Sequence, residues 1–483
     1  MVGPHTFEQL VEIKKAFEAN TAQNGASPFI DFNSSGAVLS MQSLDKVFVA
    51  TVSTDKDFKF LKETPRRNIN QVIAEYNRNK SHGGGWYNSS YIGQSDEPTY
   101  RDAVFERLYN EVNYIAEGFS YNKVVDTVNN SQDPELAQSN AALKRGMESQ
   151  MRRIWFGKKD LNKLEQDGFE TQIKALGSDF YTDCRGSLPA VDQMKFYSSQ
   201  IRTRHFGLTN YAKMHPATKA LYDQTYDRSG NGIVIQNNNQ SPGSTTMSNV
   251  VSGVADSNAK DGVIVFDDDI WMDRHEWGVP LRRDQNGHWV EGPTSDTHSP
   301  AMPSFTVSTL NSVPGSLFTG SYVGDYKYRV CAGDLKNWSK ASSAQTISVP
   351  LNGASELTIT PGTGGVPETR YAIFRETGPN SNLIRYMREV RKNTAGPTTI
   401  VQDLNEDLPG TTIMVMGDFN SKSSSDDTRT LILSELLGYT KTLFPYGAGG
   451  VVRSRLGIVE NYSVLQILAE EKFRVFTNVP VRI

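Results

Sequence analysis

The densest group of side chains that could do chemistry is a run of acidic residues with one histidine in the middle of the chain. It comprises Asp267, Asp268, Asp269, Asp273, His275 and Glu276. Carboxylate oxygens are the ligands that hard cations prefer. The run lacks both the HExxH spacing of zinc enzymes and the calcium-loop spacing with glycine at its sixth position. We interpret it as a solvated turn or a subunit-contact surface, with a cation site that bridges subunits as the alternative.

No other motif predicts catalysis or cofactor binding. The chain has no GxSxG, no GxxxxGK[ST] and no GxGxxG after a predicted strand. The GAGG run at 447–450 precedes a predicted strand, which is typical of a turn and not of a phosphate site at a helix N-terminus. Glu470 and Glu471 would point to opposite faces of a strand, and His205 is interpreted as a core or rim residue. The sequence therefore predicts no catalytic residue, no cofactor and no metal.

A second set of charges surrounds a long polar connection, SHGGGWYNSSYIGQSDEPTY. It joins two predicted strands, Asn70 to Asn77 and Val104 to Ile115, and is far longer than a usual hairpin loop. A projecting two-stranded loop is not stable alone in water, so we expect it to lie on a neighbour, with its charges setting orientation and register. A solvated hairpin is the alternative. The candidate inter-subunit contacts are Arg66, Arg67, Arg78, Lys80, Asp96, Glu97 and Glu106.

Helix signals follow this region. Asp133 can cap a helix that begins at Pro134, and its apolar side chains share one stripe: Leu136, Leu143, Met147, Met151 and Ile154. A second helix is predicted from Val191 to His205. Residues 226–260 are rich in Asn, Ser and Gly and predict a long surface loop, after which GVIVFD predicts a strand.

A separate β-rich unit is predicted beyond a Pro- and Thr-rich linker. Short β segments recur at turn-separated spacing: FTVSTL, GDYKYRV, AQTISVPL, ELTIT, RYAIFRE and TTIVQDL. Tyr326, Tyr328 and Val330 alternate with charged residues, so one face can be buried. TTIMVM then resumes a strand, TRTLILSELLGY supplies a helix or a buried run, and the last segments predict closing strands. The sequence thus predicts an α+β core that is interrupted by a β-sandwich.

Composition narrows the class of protein. A length of 483 residues exceeds the roughly 250–300 at which single cores stop growing, so we expect several domains. The formal net charge of -4 gives no basic field for sequence-independent binding to nucleic acid. Cys184 and Cys331 have no CxxC spacing, which fits a reducing compartment without disulfides or a cysteine metal site. No window approaches the ~20 apolar residues of a membrane span.

The order of these elements resembles a known family. Three segments resemble parts of tailed-phage major capsid proteins with the Hong Kong 97-type fold. The extended loop of that fold is resembled by INQVIAEYNRNKSHGGG and GQSDEPTYRDAVFERLYNEVNYIAE, and the spine helix by DPELAQSNAALKRGMESQMRRIWFGKKDLNKLEQDGFETQI, which follows them. The strongest match is the run after the helix, which contains Phe156, Gly157, Asp167, Gly168 and Phe169. GDYKYRV, RYAIFRE and DLNEDLPG resemble an immunoglobulin or fibronectin type III-like module.

The resemblance implies an α+β Hong Kong 97-type capsid fold with an N-arm, extended loop, spine helix, peripheral and axial domains, and an inserted β-sandwich. We expect an N-terminal arm at 1–45, the extended loop at 46–120, the spine helix and peripheral domain at 121–225, the first part of the axial domain at 226–300, the sandwich at 301–410, and the C-terminal axial and peripheral part at 411–483.

The resemblance also implies a function. The chain would be a non-enzymatic major capsid protein that assembles into homo-pentamers and homo-hexamers, forming an icosahedral head around double-stranded DNA without binding it specifically. Its implied partners are a scaffolding protein, a portal protein and a decoration protein, with no membrane, and its place is the virion shell, assembled in the host cytoplasm. A separate scaffold is expected because no long charged coiled-coil leader is visible. Some relatives form Lys–Asn cross-links; nothing near Lys56, Lys59 and Lys62 identifies partners for one.

Three alternatives remain open at this stage. An encapsulin would use the same fold to hold a cargo protein instead of DNA. A surface adhesin would use residues 303–405 to bind carbohydrate, although no secretion signal or anchor supports it. An enzyme would need the acidic run at 267–276 to hold a catalytic metal.

Overall fold

The computed structural model describes residues 55–83, 91–98, 100–122, 133–229, 234–236, 250–274, 281–283, 289–291, 299–419, 429–445 and 454–481. The predicted arm at 1–45, the GAGG run, His275 and Glu276 lie outside these residues. No helix among the described residues is long and apolar enough to cross a membrane.

The described part of the chain contains five α-helices: α1 (Lys59–Glu63), α2 (Pro134–Phe156), α3 (Phe169–Ala175), α4 (Val191–His205) and α5 (Pro216–Ser229). The strands before the insert are β1 (Arg66–Asn68), β2 (Ile73–Ser81), β3 (Val104–Glu111), β4 (Asn113–Asn122), β5 (Tyr181–Asp183), β6 (Tyr211–Met214), β7 (Val234–Gln236), β8 (Val250–Ala255), β9 (Val263–Asp268), β10 (Leu281–Arg283) and β11 (Trp289–Glu291).

The inserted strands are β12 (Ser304–Leu310), β13 (Gly324–Gly333), β14 (Gln345–Val349), β15 (Ala354–Thr360), β16 (Arg370–Glu376), β17 (Ile384–Arg391) and β18 (Thr399–Asp403). The closing strands are β19 (Thr411–Gly417), β20 (Leu431–Leu443), β21 (Ser454–Ile467) and β22 (Phe473–Pro480). The α+β class is therefore confirmed, as is the predicted interruption of the core by a β-sandwich.

The body is built on two sheets. A seven-stranded mixed sheet has the order β5-β22-β19-β6-β9-β8-β7, and a four-stranded sheet has the order β1-β20-β21-β4. Helix α2 joins them, because its C-terminal half packs into a core of fully buried aromatic and aliphatic side chains that includes Trp155, Phe169 and Phe473. Burial of such side chains contributes about 1.5–3 kcal/mol each.

Local signals place α2 as predicted. The Asp133 carboxylate accepts a hydrogen bond from the Glu135 amide at 2.9 Å, and Pro134 occupies the first turn. The helix ends at Gly157, where an added Cβ would lie 2.2 Å from the carbonyl oxygen of Gln166. The predicted stripe is right for Met151 and Ile154, which are buried, and wrong for Leu136, which is 48% exposed. At the first turn the adjacent Glu135 faces the body instead, where its carboxylate pairs with Lys441 at 2.8 Å.

The sandwich consists of a three-stranded sheet, β12-β15-β18, and a four-stranded sheet, β14-β13-β16-β17. Both sheets contribute to one core, in which Tyr326, Tyr328 and Val330 are fully buried as their alternation predicted. Strand β17 was not predicted, because its sequence IRYMREVR is highly charged. Its register with β16 shifts between Ile373 and Phe374.

Hydrogen bonds at two places fix the sandwich to the body. The Arg185 guanidinium donates to the carbonyl oxygens of Asn405, at 2.5 Å, and Leu317, at 3.0 Å, while the Tyr322 hydroxyl donates to the Arg185 carbonyl oxygen. On the other side, the Asn162 side chain donates to the Leu335 carbonyl oxygen at 3.1 Å. The insert is therefore held at two places and is not tethered by its linkers alone.

Three further expectations need correction. The stretch from Val104 to Ile115 is two strands, because the chain turns at buried Val112 so that β3 pairs with β2 and β4 pairs with β21. The region 226–260 is not one loop, since β7 and β8 pair within it. The Glu470–Lys472 segment, predicted as part of a strand, is a 3-10 turn. TRTLILSELLGY is the buried run that the sequence offered as the alternative to a helix, since the first five residues of β20 are buried.

One close approach within the body sheet is notable. Gly457 on β21 lies directly opposite Phe119 on β4. A Cβ at position 457 would lie 2.3 Å from the Phe119 ring, whereas a Cβ at the nearby Gly118 would meet no atom within 4 Å. The ring therefore occupies the space that glycine leaves.

Candidate subunit-contact surface

The hairpin β2–β3 is docked on the body through its inner face. Ala74 is buried, and the Tyr76 hydroxyl donates to the carbonyl oxygen of Ile467 at 3.2 Å. The side-chain amide of Gln466 donates to the Ala74 carbonyl oxygen at 2.9 Å. Because these bonds link the hairpin to the end of β21, its base has a fixed direction relative to the body.

Arg66 and Arg67 do not belong to this hairpin, contrary to the predicted placement. They lie in β1, which pairs in parallel with β20 at the edge of the body sheet. The Arg66 guanidinium is 3.1 Å from the Glu435 carboxylate, and that of Arg67 donates to the Gln466 side chain at 3.0 Å. Both arginines thus have partners within the chain; their contact with a second subunit remains a prediction.

Arg78, Lys80 and Glu106 do lie on the hairpin and pair across it. Arg78 is opposite Glu106 in the β2–β3 register, with 2.8 Å between guanidinium and carboxylate, and the Lys80 ammonium is 3.7 Å from the same carboxylate. The hydrogen bond from Arg78 lowers the pKa of Glu106. These charges stabilise the register of the hairpin itself, since opposite charges facing each other across strands attract.

The outer face of the hairpin exposes three large apolar side chains among charged and amide residues. The three exposed side chains are Ile73 at 44%, Phe105 at 70% and Tyr109 at 68%. The Arg107–Glu75 ion pair lies on the same face. Large apolar side chains that are exposed together on one face mark interaction sites in soluble proteins. The spacing of Phe105 and Tyr109, four residues apart on one strand face, is the sequence signal for this surface, whereas the predicted contacts were charged residues only.

The tip of the loop is the most exposed part. Tyr91 and Tyr100 are 95% and 89% exposed. The Asp96 carboxylate accepts the Gly93 amide at 2.8 Å and so shapes a turn, while Glu97 is exposed beside it. Nine of the twenty large apolar side chains that are exposed in the described residues fall between Val72 and Tyr114, so the apolar surface is concentrated here.

The acidic run is not a solvated turn, because most of its described members are buried in ion pairs or hydrogen bonds. Asp267 contacts the ammonium groups of Lys213 and, at 2.5 Å, Lys59. Burial alone would raise the pKa of Asp267, but the two lysines outweigh it and lower the pKa. Asp268 forms a more exposed pair with Lys219 at 2.9 Å.

Asp269 ties β9 to the long helix. Its carboxylate accepts the Trp155 indole N–H at 3.1 Å and the Trp271 amide at 2.9 Å. Burial raises the pKa of Asp269 to about 6. Within the described residues no three His, Cys, Asp or Glu side chains are grouped so as to hold a metal ion. The run therefore links α1, α2 and β9, a structural role that its sequence did not reveal because Lys59 and Lys213 are distant along the chain.

Comparison with known proteins gives structural similarity at very low sequence identity. No family model matches the chain, and no curated protein matches its sequence. It is similar to an encapsulin complex from Synechococcus elongatus PCC 7942, with a TM-score of 0.44, 8% identity, and 93% of this chain and 95% of that chain covered. It is also similar to the capsid of a native GTA particle (TM-score 0.42, 8% identity, 93% and 99% covered) and to Gordonia phage Cozz (TM-score 0.40, 8% identity, 94% and 97% covered).

Proposed function

We propose that this chain is the building subunit of a protein shell, and more specifically the major capsid protein of a tailed bacteriophage. The observation that carries the proposal is the docked hairpin with its uncovered outer face, where Phe105 and Tyr109 are mostly exposed. An isolated subunit gains nothing from holding this surface in water. It becomes favourable when a neighbouring copy covers it, since about 25 cal/mol is gained per Å² of apolar surface buried.

In this proposal the subunits form pentamers and hexamers of an icosahedral head. A scaffolding protein guides assembly in the host cytoplasm, a portal protein occupies one vertex, and a decoration protein adds to the exterior. The formal net charge of -4 supports enclosure of DNA without a tight grip on its phosphates.

The adhesin alternative receives less support from the sandwich surface. Protein sites for sugars commonly present exposed aromatic rings, which offer an apolar body and a polar tip. The large apolar side chains that the described sandwich residues expose are aliphatic: Met302, Leu317, Leu335, Leu351 and Ile400. The aromatic side chains Phe318, Tyr326 and Tyr371 are buried in its interior.

Electron microscopy and sedimentation of the purified full-length chain, alone and with co-expressed candidate scaffolds, test shell formation. We expect closed particles from the wild type and few from Phe105→Glu, because a charge in the covered interface costs several kcal/mol. The matched control is Phe196→Glu, which changes a similarly exposed side chain on α4. A chain that stays monomeric with every scaffold, or whose particles tolerate Phe105→Glu, would contradict the proposal.

The contents of particles from the natural source separate the phage capsid from the encapsulin. Nuclease-protected double-stranded DNA of uniform length is expected for a phage head. A protein cargo without DNA would favour the encapsulin instead.

A further inference from the structure

Lys213 and Asp267 lie side by side in the middle of the seven-stranded sheet. Lys213 on β6 is directly opposite Asp267 on β9 in the parallel register, so their side chains leave the sheet on the same face. The Lys213 ammonium donates to the Asp267 Oδ2 atom, and only 3% and 6% of the two residues are exposed. The amine nitrogen and the carboxyl group are therefore held in contact, away from bulk water.

Aromatic rings surround the Lys213 ammonium group. Its nitrogen lies 5.4 Å from each of three ring centroids, those of Phe60, Tyr211 and Phe419. Phe60 and Phe419 belong to the buried core of the body. Because charged groups are poorly solvated in such surroundings, transfer of a proton from the ammonium to the carboxylate costs less here than in water. That transfer produces the neutral amine, which is the nucleophile that an amide bond needs.

Lys59 approaches the same carboxyl group at its other oxygen. The Lys59 ammonium donates to the Asp267 Oδ1 atom at 2.5 Å, whereas Lys213 contacts Oδ2. Lys59 comes from helix α1, and its side chain is half exposed. A cation at Oδ1 polarises the bond between this oxygen and Cγ, and it stabilises the negative charge that develops on Oδ1 when a nucleophile adds to Cγ.

A second carboxyl group lies beside the pair. Asp269 follows Asp267 by two residues, and its amide donates to the Met214 carbonyl oxygen at 2.9 Å, which continues the contact between β9 and β6. Asp267 and Asp269 line one small cavity of about 100 Å³ together with Lys59 and Lys213. The pKa of Asp269 is raised by burial to about 6, so this carboxyl group can take up and release a proton near neutral pH.

We propose that Lys213 and Asp267 condense to an amide bond between their side chains. The Lys213 nitrogen passes one proton to Oδ2 and attacks the Asp267 Cγ atom, so that a C–N bond forms while Lys59 stabilises the charge on Oδ1. Asp269 carries a second proton from the nitrogen to Oδ2. The Cγ–Oδ2 bond then breaks, its electron pair stays with the oxygen, and Oδ2 departs as water. One ammonium and one carboxylate thus give one amide and one water, with no oxidant or cofactor.

Two features of the site favour this reaction. Groups that a fold holds in a reactive arrangement behave as if they were present at about 10⁵–10⁸ M. Water is largely excluded from the buried pair, yet the cavity is also lined by the exposed residues Lys56 and Asp268, so the water that forms can leave. The exposed ion pair between Lys219 and Asp268, one strand position further on, lacks this enclosure and stays ionic.

The bond links two neighbouring strands of the body sheet within one chain. β6 and β9 are adjacent in the sheet, and α5 lies between them in the sequence. A covalent link between residues 213 and 267 restricts the unfolded chain, as any cross-link that closes a long loop does. It strengthens the single subunit, so it holds whether or not the chain builds a shell.

Intact-mass spectrometry of the denatured full-length protein tests the bond directly. We expect the folded wild type, kept overnight at neutral pH before denaturation, to be lighter than its sequence mass by one water molecule. Trypsin should then release a branched peptide in which residues 205–219 are joined to residues 261–274, because Lys213 is no longer a cleavage site. An unchanged mass, or a loss of water that maps to other residues, overturns the proposal.

Variants separate the bonding lysine from its neighbours. Lys213→Arg keeps a cation but removes the amine, and it should abolish the loss of water. The matched control, Lys219→Arg in the exposed pair with Asp268, should retain it. Because the mass of the wild type alone decides whether the bond exists, a variant that fails to fold leaves the test intact.

The assisting groups are tested by the rate of bond formation. After cell-free synthesis, the bonded fraction of Lys59→Met and of Asp269→Asn should rise at least about tenfold more slowly than that of the wild type. Far-ultraviolet circular dichroism checks that each variant is folded. A folded variant that forms the bond at the wild-type rate would refute the role assigned to the residue that it replaces.

Discussion

Neutralising the cation at the centre of the sandwich gives a sharp test of how the insert is stabilised. Arg375 on β16 is fully buried and contacts the Asp403 carboxylate on β18 at 2.5 Å and the Asn405 side chain at 2.7 Å. Because β16 and β18 belong to opposite sheets, this ion pair bridges the sandwich. Arg375→Met leaves the buried Asp403 carboxyl group without its cation, with the Tyr328 hydroxyl at 2.8 Å as a remaining donor.

The expected cost follows from this geometry. Removing one partner of a buried ion pair destabilises by about 3–5 kcal/mol. Since about 1.4 kcal/mol is a factor of ten, amide exchange through opening of the sandwich should accelerate about a hundredfold or more. The double variant Arg375→Met/Asp403→Leu removes both charges and should recover most of the loss, because apolar replacement of a whole buried pair is often nearly neutral.

Hydrogen–deuterium exchange of the full-length protein, followed by mass spectrometry, measures both variants locally. Peptides from β16 and β18 report on the sandwich, and a peptide from β22 in the body is the internal reference. Exchange in Arg375→Met within threefold of the wild type would refute the reasoning. So would a double variant that is no more stable than the single one.

Three further predictions concern the body and its attachment to the insert. Gly457→Ala should lower the free energy of unfolding by about 1–3 kcal/mol through overpacking, whereas Gly118→Ala should change it little; chemical denaturation compares them. The raised pKa of Asp269, about 6, means that the folded state binds a proton that the unfolded chain, with a pKa near 3.9, releases. As the pH falls from 7 to 4, the free energy of unfolding of the wild type should therefore rise by on the order of 2–3 kcal/mol relative to that of Asp269→Asn. Curves of unfolding free energy against pH that run parallel for the two proteins would contradict this. Arg185→Ala should accelerate exchange around residues 317–322, unlike Arg202→Ala on the exposed side of α4.

Sequence reasoning succeeded where the determining signals are local. The cap at Asp133 with Pro134 located the start of the long helix, and the helix from Val191 to His205 was predicted with both ends. The alternation of Tyr326, Tyr328 and Val330 identified a buried face of the sandwich. Each of these signals lies within a few residues of the feature it determines.

It failed where the outcome depends on distant partners. The chain divides at Val112 because β4 pairs with β21, whose residues lie more than 300 positions away. Asp267 is buried because Lys59 and Lys213 fold against it, which its acidic neighbours do not indicate. The exposed apolar side chains on the outer face of the hairpin were not predicted, because charged residues such as Arg78 and Glu106 dominate this part of the sequence.

The hydrogen bonds that anchor the hairpin, from Tyr76 to Ile467 and from Gln466 to Ala74, have a consequence for the speed of assembly. A loop that must order as it meets its partner loses conformational entropy at that moment, at about 1–2 kcal/mol per residue for the backbone. Here the base is ordered before any encounter. Productive collisions between subunits should therefore need little rearrangement, and the growth of a shell should be limited by how often subunits meet in the right orientation.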